Sequence, residues 1–247
     1  MTFYFVLEQH FIFFIVISTI IGSVFGSFIC AAADRTARGL SIAKPRSHCV
    51  TCQKTIPLID LIPFKVWIFN KGYCTNCKIR IPAETLVIEI IFAIGFSIIP
   101  FLAKNPSFCF GYVVLLLLTT YISLVDIKTL TIPKLSLELL FVFGLLLSGN
   151  QQRIPTAMEG LIFGLAITFI VFFFSKNGLG IGDVFLFGIL GLFVGPIGLV
   201  PILVLAPAWG LCYTTFVKKQ NPGAALIPFA PFLGMAGLFV YLFRLGD

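Results

Sequence analysis

The stretch "NGLGIGDVFLFGILGLFVGPIGLV", Asn177 to Val200, decides what kind of molecule this is. From Val184 onward it holds only apolar residues, glycine and one proline. A carboxylate, Asp183, stands where the glycine-rich turn gives way to that run. Charge is costly inside hydrocarbon, so such a residue either caps a helix at the water boundary or serves a function. The rest of the chain fits a membrane setting. It has 247 residues, 59% of them hydrophobic and only 11% charged, with 29 Phe. A water-soluble domain of this size could not cover so much apolar surface with polar groups. The expected fold class is an all-α polytopic membrane protein.

Runs of about 18 or more apolar residues mark spanning helices. Candidate spans lie at roughly 11–30, 85–103, 111–125, 135–148, 158–175, 184–194, 198–217 and 225–243, about eight transmembrane helices in all. Several are short. Gly195-Pro196 reads either as a tight turn between two short spans or as a kink in one long segment, so six or seven spans are the competing counts. The first run has no basic start and no obvious cleavage site, which makes it a retained helix rather than a secretion signal. Three parts are expected: a first transmembrane helix (1–30), a basic four-cysteine cytoplasmic loop domain (31–83) and a transmembrane core (84–247). No repeat or low-complexity tract is evident.

Residues 31–83 carry nine Lys and Arg against two Asp, a surplus equal to the net charge of +7 for the whole protein. Basic residues collect on the cytoplasmic side of membrane proteins. That loop is therefore placed inside, and parity puts the loops at 126–134, 176–183 and 218–224 inside as well. Lys128, Lys134, Lys176, Lys218 and Lys219 follow this rule, while Lys104, Arg153 and Arg244 lie outside. Asp126, which closes "GYVVLLLLTTYISLVD", and Asp183 then share one depth on the inner face.

Each aspartate has an ordinary reading. Asp183 could be an N-cap, with Gly180 and Gly182 shaping a turn, and Asp126 could mark where a helix meets water. Taken together they suggest chemistry. Two carboxylates held close do not both ionise easily, so one keeps a proton while the other acts as a base. Such a pair can activate water against a peptide carbonyl. Glycines beside Asp183 would let an extended substrate approach the backbone. Pro133 is expected to end the loop after Asp126 and begin the next helix.

Cys49-x-x-Cys52 and Cys74-x-x-Cys77, separated by 21 residues, have the spacing of a tetrahedral zinc site with four thiolate ligands. A cytoplasmic loop disfavours disulfides. A closed site of this kind is structural, and it would steady a loop too small to form its own core. Two redox pairs or four plain thiols are the alternatives. His48 is expected to be a surface residue, and Cys30, Cys109 and Cys212 to be packing residues. Topology already accounts for the positive charge, so membrane lipids rather than nucleic acid are the expected partner.

These residues also carry a resemblance. "GLGIGD" resembles the GxGD signature of intramembrane aspartyl proteases. "VDIKTLTIP", Val125 to Pro133, is similar to the motif around the first aspartate of the type IV prepilin leader peptidase and N-methyltransferase family. "FGSF" with Arg35, "RSHCVTC", "IDLIP", "CTNC", Glu89 and "PFAPFLG", Pro228 to Gly234, follow that family's order over nearly the whole chain. The resemblance implies an enzyme of the bacterial inner membrane. It would cut the basic leader from prepilins and pseudopilins at the cytoplasmic face, with Asp126 and Asp183 as the catalytic pair. Many members also methylate the new N-terminus with S-adenosylmethionine. The chain departs from the family at Phe185 (usually Lys), Cys30 and Leu61 (usually Asn), and Thr85-Leu86 (usually Tyr-Pro). Three of these four departures lie in or beside the region tied to methylation, so weak or selective methyl transfer is expected. The alternatives are a catalytically weakened paralogue that binds pilin-like helices as an assembly factor, and a carboxylate-based transporter.

Overall fold

The computed structural model describes residues 10–42, 47–49, 51–57, 63–102, 105–150, 152–174, 178–218 and 227–243. Lys44, Arg46, Asp60, Leu61, Lys104, Lys176, Lys219 and Arg244 lie outside the described residues. Nine α-helices are described: α1 (Phe11–Ala37), α2 (Lys65–Phe69), α3 (Ala83–Ser97), α4 (Ile99–Leu102), α5 (Pro106–Thr129), α6 (Lys134–Asn150), α7 (Ile154–Phe174), α8 (Ile181–Cys212, continued by a π-helical turn, Tyr213–Lys218) and α9 (Ala230–Phe243). No named strand occurs among the described residues; two isolated antiparallel bridges do. The chain divides into two compact units, residues 1–109 and 110–247.

In the first unit α1 packs against α3. Gly22 lies against Phe92 and Phe96, and a Cβ on Gly26 would stand 2.9 Å from the Ile88 carbonyl oxygen. Small residues let the two backbones approach, the usual means of helix contact in lipid. Phe25 and Phe96 stack over the same seam at 5.6 Å. At the end of α1 the Leu40 N–H donates to the Arg35 carbonyl and the Gly39 N–H to that of Thr36. Gly39 has φ +69°, so this is the two-bond glycine stop that closes many helices.

The second unit holds α5 from Phe110 onward and α6 to α9. Its notable feature is α8. A straight helix from Ile181 to Phe216, 36 residues, would be about 54 Å long, against a hydrocarbon core of about 30 Å. The chain instead breaks at Gly195, with φ 68° and ψ 179°. That region is essentially restricted to glycine. Along α7, Gly164 faces Gly188 and Gly160 faces Gly191 and Gly195, yet Leu199 lies back against Gly164. The chain therefore reverses at Gly195 and retraces its path. Of the two sequence readings of Gly195-Pro196, the turn is the one found. Pro196 opens the second arm, where a missing N–H does no harm.

Five helices are long and apolar enough to cross a membrane, and the fifth of these is the α8 hairpin. With the two arms of α8 counted separately, and with α6 at 17 residues and α9 at 14, the described apolar segments match the eight expected. The chain is a multi-pass membrane protein. Its outer faces fit a lipid solvent: Phe173 and Phe174 at the end of α7 are each 77% exposed, a display that water would penalise.

Candidate active site

Asp126 lies one turn before the end of α5 and is only 6% exposed. Its Oδ2 accepts the Ala230 N–H at 3.1 Å. The sequence explains why that donor is open. Helix starts leave their first N–H groups without partners inside the helix. Ala230 is the first residue of α9, and Pro231 has no N–H to offer. The first turn of α9 thus aims a leading donor at a carboxylate 104 residues earlier in the chain. Neither the role of Ala230 nor its partner was legible in the sequence. The flanking Pro228 and Pro231 signal a helix start, but nothing in them names the acid it faces.

Asp183 is not the N-cap of α8. Gly180 is, with extended backbone, and Asp183 sits in the first turn. Its side chain reaches back to the Gly180 N–H, as acidic residues three places into a helix often do. A Cβ on Gly180 would stand 2.9 Å from Asp183 Oδ2. The other oxygen, Oδ1, is buried and has no hydrogen-bond partner among the described residues. A cap alone does not account for that oxygen.

The two segments are brought together. Gly182 lies under Ile132, and a Cβ at position 182 would stand 3.1 Å from the Ile132 Cβ. Glycine here admits the loop that follows Asp126. That loop turns through Leu130 at φ +54°, whose N–H donates to the Asp126 carbonyl at 2.8 Å. Pro133 stands one residue ahead of α6 rather than inside it, and its carbonyl accepts the Ser136 N–H. The Gly182–Ile132 contact sets the first turn of α8, which carries Asp183, beside the loop that follows Asp126. Among the described residues neither has a Lys or Arg partner.

In the first unit Cys49, Cys52, Cys74 and Cys77 bring their four sulfurs within 4.8 Å of one another, and this cluster could hold a metal ion. Both pairs are built by the same turn. The Cys49 N–H donates to Lys54 and the Cys74 N–H to Ile79; the Gln53 N–H returns to Cys49 and the Lys78 N–H to Cys74. Gln53 and Lys78 both have φ +57°. No repeat was expected, yet Cys49–Pro57 and Cys74–Pro82 both read Cys-x-x-Cys-x-x-x-Ile-Pro, and the Ile56 and Ile81 N–H groups donate to Ser47 and Gly72 in the same way. N–H groups of Cys77 and Asn76 directed at the Cys74 sulfur lower its pKa to about 7. The Ile79 N–H acts to lower Cys77, but lost hydration and the neighbouring thiols Cys74, Cys49 and Cys52 raise it to about 11. Crowded sulfurs of this kind are relieved by a cation.

Two of the departures meet. The Cys30 thiol lies 3.8 Å from the Thr85 hydroxyl. Glu89, one turn further along α3, is buried and accepts the Phe64 N–H at 3.0 Å. Phe185 is 46% exposed.

Residues 20–102 match the model of the bacterial peptidase A24 N-terminal domain, and residues 113–215 match that of the type IV leader peptidase family. The chain is similar to a type 4 prepilin-like proteins leader peptide-processing enzyme of Escherichia coli O78:H11, 29% identical over 208 residues, covering 81% of this chain and 76% of that protein. It is also similar to a prepilin leader peptidase/N-methyltransferase of Bacillus subtilis, 29% identical over 242 residues, covering 91% and 92%. A protein of the same name from Pectobacterium carotovorum is 28% identical over 205 residues, covering 79% and 73%. No solved structure matches.

Proposed function

We propose that this chain, which belongs to the type IV leader peptidase family, is a membrane aspartyl endopeptidase that removes the leader from prepilins or pseudopilins. The work is done at the cytoplasmic face of the inner membrane, with Asp126 and Asp183 as the catalytic pair. The observation that carries this reading is the packing of Gly182 against Ile132, which sets Asp183 beside the loop that follows the buried Asp126, with no basic partner of either carboxylate among the described residues. Such a pair shares a proton and can activate water. Gly180, Gly182 and the loop before Pro133 border it, and a chain held extended across those glycines would present its carbonyl to the pair. Co-expression with a prepilin, reading leader removal and N-terminal mass together, tests the proposal.

Zinc is the metal the cysteine site suits. Zinc–sulfur bonds of about 2.3 Å in a tetrahedron put sulfurs about 3.8 Å apart, and Cys49 Sγ lies 3.7 Å from Cys77 Sγ. With all four positions filled by protein the ion would be structural. Methylation of the new N-terminus, which the names of relatives include, would draw on S-adenosylmethionine as methyl donor. Cys30 and Thr85, which replace the larger amide and phenol usual at these places, make methyl transfer the weaker of the two activities.

A further inference from the structure

We propose that α2 is a membrane-surface anchor: Ile68 and Phe69 sit among the lipid chains at the bilayer surface, and the lysines on either side of them meet anionic headgroups. The loop that carries the four cysteines is thereby held down on the lipid. The proposal stands on the first unit alone and does not depend on the protease reading.

Height is the first observation. The span from Ala83 to Leu102 has 20 residues, about 30 Å of helix, which is the thickness of the hydrocarbon core. All of it is needed to cross, so Ala83 marks the bilayer surface on the side of the basic loop. α1 gives the same level. Cys30 lies opposite Thr85, and the first charged residue of α1, Asp34, comes one turn later. Glu89 stands six residues beyond Ala83 in α3, about 9 Å below that surface. Its carboxylate accepts the Phe64 N–H at 3.0 Å. Side chains lean toward the start of their helix, which returns part of the distance. Phe64, the N-cap of α2, still lies no higher than the first turn of α3. α2 therefore begins at the lipid surface and not above it.

The second observation is shape. Phe64 has φ +59°, and the Trp67 and Ile68 N–H groups donate to its carbonyl. Gly72, with φ +78°, covers the Trp67 ring, and its N–H donates to the Val66 carbonyl. Trp67 thus packs within its own turn, while Ile68 and Phe69 stand 69% and 74% exposed. Water would penalise two adjacent large apolar side chains displayed in this way. At a bilayer surface they are the buried face of an element that lies on the membrane without crossing it.

The third observation is charge. Residues 63–82 hold Lys65, Lys71, Lys78 and Arg80 and no acidic residue. Lys71 is exposed two residues past Phe69. Basic side chains beside a bilayer gain from anionic lipid, and their long stems let the charge reach the headgroups while apolar neighbours stay among the chains. The exposed Tyr73 adds an aromatic ring of the kind enriched at that level. A protein partner for Ile68 and Phe69 would have to dock at the height of the lipid itself.

Fluorescence of the full-length protein in vesicles gives the test. The chain has two tryptophans, Trp67 and Trp209. Replacing both with Phe and adding Phe69→Trp leaves one indole at the proposed contact. In phosphatidylcholine with phosphatidylglycerol, its emission should fall by more than half when the lipid is brominated near the headgroup end of the chains. It should fall less with bromines at the chain ends, and respond little to acrylamide in the water. Lys71→Asn, a residue that accepts the left-handed backbone there (φ +53°), should weaken the lipid quenching, as should vesicles without phosphatidylglycerol. Acrylamide quenching without lipid quenching puts α2 in water and overturns the proposal. Protection from both quenchers means that protein, a second copy included, covers the pair, and overturns it as well. Lipid quenching that ignores both phosphatidylglycerol and Lys71→Asn overturns the headgroup contact. Trp209→Phe alone, with native Trp67 as the reporter, serves if Trp67→Phe does not fold, and no loss of emission there in brominated lipid overturns the anchor.

Discussion

The two cysteine turns and the two aspartates are both paired sites, and they are assembled in opposite ways. Each cysteine pair is closed by hydrogen bonds spanning no more than five residues, so its geometry is written locally. The aspartates come from different helices and take their donors from different places: Gly180 lies three residues from Asp183, while Ala230 lies 104 residues from Asp126. Loss of a local site should stay confined to its own loop. A long-range site should fail as a unit.

The largest effect expected from that contrast is at the aspartates. Asp183→Asn keeps the side-chain acceptor that meets the Gly180 N–H, so α8 should start as before. Leader cleavage should nevertheless fall by several orders of magnitude, because an amide neither takes nor gives the working proton. Asp126→Asn should be as damaging, and the double variant hardly worse than either single, since members of one catalytic unit are not additive. Near-normal cleavage by folded Asp183→Asn protein would break the comparison at its strongest point.

The cysteine site comes next. Wild type should carry about one zinc per chain. Cys49→Ser or Cys74→Ser should lose the metal and expose residues 47–82 to protease, while thermal unfolding of residues 110–247 is unchanged. Full zinc content with all four cysteines replaced would remove the site.

The same contrast explains what could be read from the sequence. Cys-x-x-Cys spacing is enough to place four sulfurs, because the turn between each pair is fixed by its own backbone. The duplicated turn is legible in the shared Cys-x-x-Cys-x-x-x-Ile-Pro pattern, although Gln53 and Lys78, which share its left-handed backbone, have no side-chain chemistry in common. The aspartates were legible as residues, through position and charge parity. Their environments were not, because the donor to Asp126 depends on how α9 docks. Gly195-Pro196 was legible as a break but not as a reversal, since glycine permits both a kink and a turn and only packing against Gly160 and Gly164 selects one.

A smaller effect is expected at that reversal. Gly195→Ala places a Cβ where backbone conformation is essentially restricted to glycine. The cost should be about 1–3 kcal/mol, read as a lower unfolding midpoint with zinc content intact. An unchanged midpoint would mean that the two arms of α8 tolerate another turn.

The smallest effect expected is at Phe185, where the family usually has Lys. Residues two apart on a helix point to different faces, so Phe185 is not directed with Asp183. It is 46% exposed, and among the described residues neither aspartate has a basic partner that it displaces. Phe185→Lys should therefore change leader cleavage by less than about threefold, within the range of surface substitutions. This variant also separates the protease from a weakened paralogue that only binds pilin-like helices. If wild type cleaves a prepilin and Phe185→Lys cleaves it at a similar rate, position 185 is outside the working site. If wild type is inert and the lysine restores cleavage, the pair is intact but a basic residue near it is required, and the chain as it stands is the weakened form.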